Sequence, residues 1–519
     1  MDILGLILLS LALSLILAFF LCPLFFKSCP ERGSLSPGPP AFPLVGNLFW
    51  LRHSFCEIES VLRRLRDTYG PMVTIHIGFV PTVVISDADL AYSILVEKGS
   101  LFADRPPTTP VLRVLSGDQC VVSDCRYGPA WRVLRRNMTA VILHPSRIKE
   151  FSHYRRRAGG VHKDELRRQA EVGEPVAVLD SFRYAFISLF ASMCFGENLE
   201  EKTVREIQRV QHDISVHFVK VNVFLILPRV GNYIYWRLWR KIGEIRRRQE
   251  GLLVPLIKAR RERSEEMKKR GEDSFQFSYG DSLLNLELPD EEGRKRKLRE
   301  EEIISLCSEI LTAGTDTTVT VLQWIMANLV KHQHIQARLF EEISAVVRDG
   351  EDVEEEDLGK LPFLRAVIME GLRRHPPAHF LLPHSPVEDA TVEGYLIPRG
   401  TNVNVTVTEM NWNSKVWSNP MEFRPERFLP GGEGEGLEIT CRKEIKMLTF
   451  GAGRRACPAL DLAMLHLGYF VADMVREFEW NAVNGEDVDM SEQMEFTIVM
   501  KTPLKATLLP RARNTKQIL

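Results

Sequence analysis

The segment Phe-Gly-Ala-Gly-Arg-Arg-Ala-Cys-Pro at residues 450–458 constrains the fold more than any other stretch of the chain. Gly451 and Gly453 permit a tight backbone with positive φ close to a flat ligand. The residues after Pro458 have a helical pattern, and proline suits the first helical position, which places Cys457 at the N-cap. There the helix dipole and free N–H groups stabilise a thiolate. The sequence therefore predicts a sulfur anion at the start of a helix.

This sulfur has two interpretations. Pro458 has no N–H, so the expected donors to the sulfur are the backbone N–H groups of Ala459 and Leu460. A thiolate held in this way can ligate haem iron. A single cysteine is more often a buried structural residue, but the surrounding glycines and arginines favour the metal ligand.

Composition excludes several other classes of protein. The 67 Lys and Arg residues balance 68 Asp and Glu residues, without the basic excess of a nucleic-acid binder. The nine cysteines are odd in number, scattered and without a C-x-x-C pair. They make a poor disulfide framework and a poor zinc site, and they suit a reducing compartment.

An uncharged run rich in Leu, Ile, Ala and Phe occupies residues 3–26. A helix of this length spans a hydrocarbon core of about 30 Å. The run is too long for a secretory signal and lacks a small-residue cleavage site, so we predict an uncleaved anchor at 1–27. Lys27 follows it, which predicts a cytosolic domain, and the proline-rich residues 28–48 predict a stiff hinge.

The remaining residues, 49–519, contain no internal repeat and no dividing linker. Alternating β-rich runs predict one hairpin at Met72–Ile77 and 82–85, and a second at 391–397 and 402–408. Long amphipathic stretches predict helices elsewhere. We therefore predict one α+β domain, mostly α with small β-sheets.

Two further segments have distinctive patterns. Residues 264–302 are rich in charge and predict a solvated connector. Residues 301–331 predict a helix of about 45 Å, with Ala-Gly-Thr-Asp-Thr-Thr at 313–318 in its middle. Glycine and polar residues are poor choices for a buried helix centre, so this conflict indicates either function or a kink with a satisfied aspartate.

Three histidines, His375, His379 and His384, lie close together in the sequence. Pro376 and Pro377 prevent the first two from sharing a helix face, and no H-E-x-x-H motif occurs. A metal cluster at these histidines is therefore disfavoured.

The chain resembles the cytochrome P450 superfamily, whose cysteine signature is F-x-x-G-x-R-x-C-x-G. Phe450, Gly453, Arg455 and Cys457 match it, and Ala459 departs from it in place of the last glycine. Further family motifs occur in order along the chain, and several segments are similar to plant family eighty-nine.

The resemblance implies roles for residues in four motifs. Ala313 and Gly314 leave room for oxygen and substrate, Thr317 holds the bound oxygen species, and Asp316 relays protons. A group of haem-binding residues reaches the propionates, and these are Trp131, Arg135, Arg455 and His384. A buried structural triad takes no part in the chemistry, and its members are Glu370, Arg373 and Arg427. Arg132 and Arg136 face either an acidic redox partner or solvent.

The resemblance also implies a function. It is that of a haem-thiolate monooxygenase of the plant endoplasmic reticulum membrane, single-pass, with haem b as cofactor. O2 and a lipophilic small molecule are the substrates. Because the chain has no G-x-G-x-x-G motif after a strand, electrons from NADPH must come through a separate NADPH-cytochrome P450 reductase.

Two alternatives remain open. A haem-thiolate isomerase or dehydratase needs no reductase, but such enzymes tend to lose the pair that Asp316 and Thr317 form here. An inactive membrane-bound scaffold is supported only by Ala459.

Overall fold

A computed structural model of the chain describes residues 58–511 except 78–79, 109, 197–198, 221–230, 271–276 and 291, together with Ser10, Ser14, 35–41 and Asn47. The predicted anchor at 1–27 and most of the hinge at 28–48 lie outside the described residues. Among the described helices, Val178–Phe195 is long and apolar enough to cross a membrane, but most of it is buried inside the protein.

The fold is mostly helical, as predicted. In chain order the α-helices are α1 Ile58–Tyr69, α2 Ala88–Tyr92, α3 Pro110–Leu115, α4 Pro129–Met138, α5 Pro145–Glu150, α6 Ser152–Glu171, α7 Val178–Phe195, α8 Glu201–Lys220, α9 Gly231–Ile234, α10 Trp236–Arg270, α11 Tyr279–Asn285, α12 Glu300–Lys331, α13 Gln333–Val346, α14 Pro362–Arg374, α15 Thr408–Asn411 and α16 Leu460–Glu477. The strands are β1 Met72–Ile77, β2 Val80–Ile85, β3 Val176–Ala177, β4 Glu287–Pro289, β5 Lys295–Lys297, β6 Ala390–Val392, β7 Tyr395–Ile397, β8 Asn402–Val405, β9 Phe478–Ala482, β10 Glu492–Met494, β11 Ile498–Met500 and β12 Lys505–Pro510.

The small sheets confirm one predicted hairpin and correct the other. β1 and β2 pair antiparallel as expected. β6 pairs antiparallel with β7 around Gly394, whose φ is +81°, whereas β8 pairs in parallel with β2. The turn that we predicted between β7 and β8 therefore joins two different sheets, because the hydrogen-bond partners of β8 come from a strand far away in sequence.

The long helix predicted at 301–331 is confirmed as α12, and it organises the main core. It packs against α7 on one side and α16 on another, and its second half, from Thr318 to Val330, is buried. Burial on several sides explains why a helix with so few surface charges is stable here. This arrangement brings the middle of α12 next to the segment that precedes α16.

The charged stretch at 264–302 is only partly the solvated connector that we predicted. α10 continues to Arg270, and α11 lies within the stretch with a buried first turn. Asp281 of α11 pairs with Arg260 at 2.5 Å, and both side chains are almost fully buried. The ion pair compensates two charges that would otherwise be costly to bury, and it fixes α11 against α10.

Cys120 and Cys125 form a disulfide, with their α-carbons 4.9 Å apart. Their pairing contradicts the expectation of a poor disulfide framework at this one place. The irregular segment between α3 and α4 brings the two residues together, and a spacing of five residues does not reveal such a loop. The sulfur of Cys457 stays free.

Candidate active site

The segment before α16 forms a tight loop around Cys457. Gly451 and Gly453 have φ of +67° and +69°, as the sequence predicts. The Cys457 N–H donates to the carbonyl of Phe450 at 2.8 Å. At Gly453 an added β-carbon would lie 1.8 Å from the carbonyl oxygen of Leu95, so no other residue fits there. The glycine is therefore needed for chain packing rather than for contact with a ligand.

The thiol of Cys457 faces an internal cavity of about 360 Å³. Its exposed surface belongs to this cavity, because the surrounding protein encloses the residue. Burial raises the pKa of the Cys457 thiol, while the Ala459 N–H and the charge of Arg135 act in the opposite direction. A bound metal cation would add to these two effects and favour the thiolate.

The predicted start of the helix is wrong by two residues. α16 begins at Leu460 with Ala459 as its N-cap, so Cys457 and Pro458 lie in the preceding turn. Of the two predicted donors, Ala459 supplies a hydrogen bond to the sulfur. Ala459 has φ of −100°, an ordinary value for alanine. The departure from the family's glycine therefore imposes no backbone strain.

Three arginines line the cavity, and the sequence motifs had singled out only Arg135 and Arg455. The third, Arg105, lies in the segment before α3. Their donors end on backbone carbonyls: Arg135 on Ala456 at 2.8 Å, Arg455 on Ala103 at 2.7 Å, and Arg105 on Ser123 at 2.7 Å. No carboxylate of the described residues lies within ion-pair distance of these three guanidinium groups.

Burial is the main cause of the lowered pKa values of the guanidinium groups in this cluster. Burial and the neighbouring Arg455 lower the pKa of Arg105 to about 9, and burial lowers that of Arg455 to about 10. Burial and Arg105 lower the pKa of His384 to about 3, while its Nδ1–H donates to the carbonyl of Phe102 at 2.9 Å. Such a cluster fits an anionic group with two carboxylates, as the haem propionates would provide.

Trp131 takes a supporting position. Its indole N–H donates to the carbonyl of Val122 at 3.0 Å, and its ring lies under the guanidinium of Arg455 at 4.4 Å. The cavity wall includes Arg135 from the same helix but does not include Trp131. The tryptophan thus orients Arg455 through its ring, and a direct contact with a propionate stays a prediction.

The middle of α12 forms another part of the cavity wall. Ala313, Gly314 and Thr317 line it together with Phe450. Gly314 also leaves space for the ring of Phe190 on α7, because a β-carbon added at Gly314 would lie only 2.6 Å from that ring. The Thr317 hydroxyl donates to the Ala313 carbonyl at 2.6 Å, which leaves its oxygen able to accept a further hydrogen bond.

Asp316 points away from the cavity. Its carboxylate accepts a hydrogen bond from the hydroxyl of Ser215 on α8. Burial raises its pKa, and the bond from Ser215 and the charge of Arg183 oppose that effect. The sequence places Asp316 beside Thr317, but the two side chains leave the helix in different directions, so only Thr317 reaches the cavity directly.

Glu309, one turn before Ala313, also lines the cavity, and the motifs gave no signal for it. Its position four residues before Ala313 on the predicted helix would have placed it on the same face. Glu309 and Arg105 are the two charged cavity residues that sequence reasoning missed.

Among the described residues, no group of three or more His, Cys, Asp or Glu side chains is placed to hold a metal ion. His375 stacks on Trp324 with 4.2 Å between ring centroids. His379 bridges two carboxylates, Glu59 of α1 at 2.7 Å and Glu492 of β10 at 3.3 Å. This bridge links the first described helix to a hairpin near the end of the chain.

The bridge predicts a pH dependence of stability. Burial lowers the pKa of His379, but Glu492 and Glu59 outweigh it and raise the value to about 9. The protonated histidine therefore stabilises the fold fully below about pH 6.5, by on the order of 3 kcal/mol, and this contribution is lost as the pH rises through about 9. We expect His379→Gln to lower the melting temperature strongly at pH 6 and weakly at pH 9.5. An equal loss at both pH values would contradict the assignment.

The comparisons with known proteins agree with this geometry. The sequence model of the Cytochrome P450 family matches residues 36–509. The chain is 42% identical to "Cytochrome P450 89A9" of Arabidopsis thaliana, over 96% of this chain and 98% of the relative. It is 29% identical to "Flavonoid 3'-monooxygenase" of Arabidopsis thaliana, over 97% of this chain and 96% of the relative.

A solved zebra fish cytochrome P450 with progesterone has the same fold. Its TM-score is 0.73 at 22% identity, and the alignment covers 88% of this chain and 99% of that structure. The 42% identity to "Cytochrome P450 89A9" agrees with the resemblance to plant family eighty-nine. The family match over most of the chain agrees with the cavity-facing cysteine. This chain belongs to the cytochrome P450 family.

Proposed function

We propose that the chain is a monooxygenase that inserts one atom of O2 into a lipophilic small molecule. Haem b is the cofactor, and NADPH supplies electrons through a separate NADPH-cytochrome P450 reductase. The observation that carries this proposal is the cavity, which has the Cys457 sulfur on one wall and Thr317 on another. The names of the relatives support the reaction class, since one of them is a monooxygenase.

The residues of the cavity suit this cofactor. Cys457 would ligate the iron, and Arg105, Arg135, Arg455 and His384 would hold the propionates. When bound, haem supplies an iron at which O2 is reduced and one oxygen atom is transferred to the substrate. Ala459 holds charge on the sulfur through its N–H. The protein's other tasks are to orient the substrate, exclude water and deliver protons.

Proton delivery belongs to two neighbours on α12. The Thr317 hydroxyl lies at the cavity wall and can pass a proton to a group bound there. Asp316 holds a proton more readily than an exposed aspartate because burial raises its pKa. Its carboxylate accepts a hydrogen bond from Ser215 in this structure and would reach the cavity by leaving that partner. We propose that this release is part of the proton supply.

The proposed setting of the enzyme rests on the uncharged sequence run at residues 3–26 and on one exposed face of the structure. We propose that residues 1–27 anchor the chain in membrane lipid of the endoplasmic reticulum, with 28–48 as hinge and 49–519 as a cytosolic catalytic domain. Arg132 and Arg136 of α4 are exposed. They lie on the helix that also carries Arg135, and we propose that they meet an acidic surface of the reductase.

The reaction class is tested by isotope incorporation. The full-length haem-loaded enzyme, its reductase and NADPH are incubated under ¹⁸O2 with a lipophilic compound selected by its binding spectrum. We expect product to carry one ¹⁸O atom. A product formed without NADPH and without label would favour the isomerase or dehydratase instead.

Thr317→Ala is expected to uncouple the reaction. Haem and ligand binding should be retained, while product formed per NADPH consumed falls by about tenfold or more, because a positioned proton donor is lost. Thr318→Ala is the matched control, since Thr318 also lines the cavity and donates to a carbonyl one turn back, that of Gly314 at 2.8 Å. Equal coupling in both variants would remove Thr317 from the proton path.

A further inference from the structure

Glu309 is an anionic residue in the wall of a largely apolar cavity. The apolar residues of that wall include Ile142, Leu143, Phe190 and Ile310, and its polar residues include Ser123 and Arg135. The side chain is enclosed by protein, and the surface that it keeps faces the cavity. A carboxylate in such surroundings is costly unless hydrogen bonds or a cation compensate it.

Hydrogen bonds from the protein compensate the buried charge of Glu309 only partly. One carboxylate oxygen accepts from the Val122 N–H at 3.0 Å and the other from the Ser123 N–H at 2.7 Å. The Ser123 hydroxyl adds a third bond to the carboxylate. Because a carboxylate has about four acceptor positions, some acceptor capacity of Glu309 remains open. No Lys, Arg or His of the described residues lies within ion-pair distance of Glu309.

The charged groups nearby do not neutralise it. Arg135 is attracted by Glu309, but its guanidinium donates to the Ala456 carbonyl. Asp124 has the same sign of charge and adds to the repulsion. Burial raises the pKa of the Glu309 carboxyl, and the bonds from Ser123 and Val122 oppose that effect. Since both oxygens accept from N–H groups, the ionised form is the one that this loop binds.

The two bonds also place Glu309 at the junction between α12 and the loop that carries the arginine contacts. The carbonyl of Val122 accepts from Arg455, and that of Ser123 accepts from Arg105. The carboxylate is thus held in a fixed orientation by the same backbone that supports the cofactor cradle. A fixed acceptor with open lone pairs is what selective recognition of a donor group requires.

We propose that Glu309 is a specificity-determining residue, which selects lipophilic substrates that carry a protonated amine or a comparable N–H donor. The donor group binds the open acceptor positions of Glu309 while the apolar part of the molecule fills the space beside Phe190 and Ile310. This inference rests on the proposed function, because it takes the cavity to be the substrate pocket.

Equilibrium dialysis of the full-length haem-loaded protein tests the inference without turnover. The probes are N,N-dimethyl-4-phenylbutylamine, protonated at neutral pH, and (5-methylhexyl)benzene, its isostere with carbon in place of nitrogen. We expect Glu309→Gln to weaken binding of the ammonium by about tenfold or more, because a charge-assisted hydrogen bond is lost. Binding of the hydrocarbon should change by less than about twofold, because Gln keeps the size of the side chain.

Asp124→Asn is the matched control. It removes a carboxylate that lies close to Glu309 but is absent from the cavity wall. We expect it to leave both affinities within about twofold, since charges that do not contact the ligand contribute weakly. An equal loss of ammonium binding in both variants, or no selective loss in Glu309→Gln, would overturn the inference.

The wild-type protein gives a second measurement if Glu309→Gln does not accumulate with haem. A carboxylate partner favours the protonated amine, so the affinity should fall as the pH rises through the amine's own pKa of about 10. An affinity that rises instead shows that the neutral amine binds better and overturns the inference. Both binding measurements omit NADPH, so their outcome does not depend on the isotope test. Selective binding of the ammonium together with an absence of labelled product would refute the monooxygenase proposal and leave the role of Glu309 intact.

Discussion

Cys457→Ser is expected to abolish the thiolate-type spectrum of the reduced, carbon-monoxide-bound protein completely. The sulfur faces the cavity that the three arginines and α12 also line. A serine hydroxyl does not ionise near neutral pH or donate electron density as a thiolate does. The measurement is the difference spectrum of purified full-length protein, normalised to total haem. We expect haem content to fall as well, because the axial ligand is lost.

Cys441→Ser is the control for this substitution. Cys441 is also a free cysteine close in sequence, but its thiol donates to the carbonyl of Met447 at 3.0 Å, and burial raises its pKa to about 12. A serine can make the same hydrogen bond, so the spectrum should be unchanged. If Cys457→Ser kept the thiolate-type spectrum, another cysteine would be the ligand and the site described here would be wrong.

Glu370→Gln is expected to destabilise the fold by about 3–5 kcal/mol, because it leaves the buried Arg373 without a counter-charge and leaves the buried Arg427 with Glu433 alone, at 3.3 Å. Arg373 donates to both oxygens of Glu370, at 2.7 and 2.9 Å, and Arg427 to one of them at 3.3 Å. All three side chains are 0% exposed. Arg373 also donates to the carbonyls of Asn411 and Pro420. Loss of its pairing with Glu370 would therefore weaken the attachment of the segment between α14 and the cysteine loop.

The measurement is the yield and melting temperature of haem-loaded protein, with Glu341→Gln as the control because Glu341 is exposed on α13. The fraction of Glu370→Gln protein that folds should retain the thiolate-type spectrum. Its ratio of product formed to NADPH consumed should equal that of the wild type. Normal stability together with altered coupling would show that Glu370 acts in the chemistry, contrary to its position outside the cavity wall.

Local patterns were sufficient for the features that depend on neighbours in sequence. The tight turn at Gly451 and Gly453 could be predicted because glycine readily adopts positive φ. The helix α12 could be predicted from a long helical pattern. The pairing of Glu370 with Arg373 follows from their spacing of three residues on a helix. The family resemblance extended these patterns to Arg427, Arg135 and Arg455, whose positions come from distant parts of the chain.

The tertiary structure alone decided where these side chains point. The partner of Asp316 is Ser215, which lies 101 positions away in sequence, and the contact that requires Gly453 is the carbonyl of Leu95. Arg105 and Glu309 lie in segments without a motif, yet the fold brings both into the cavity wall. The physical reason is the same in each case. A sequence pattern specifies which face of an element is buried, but the identity of the group opposite that face depends on how distant elements pack.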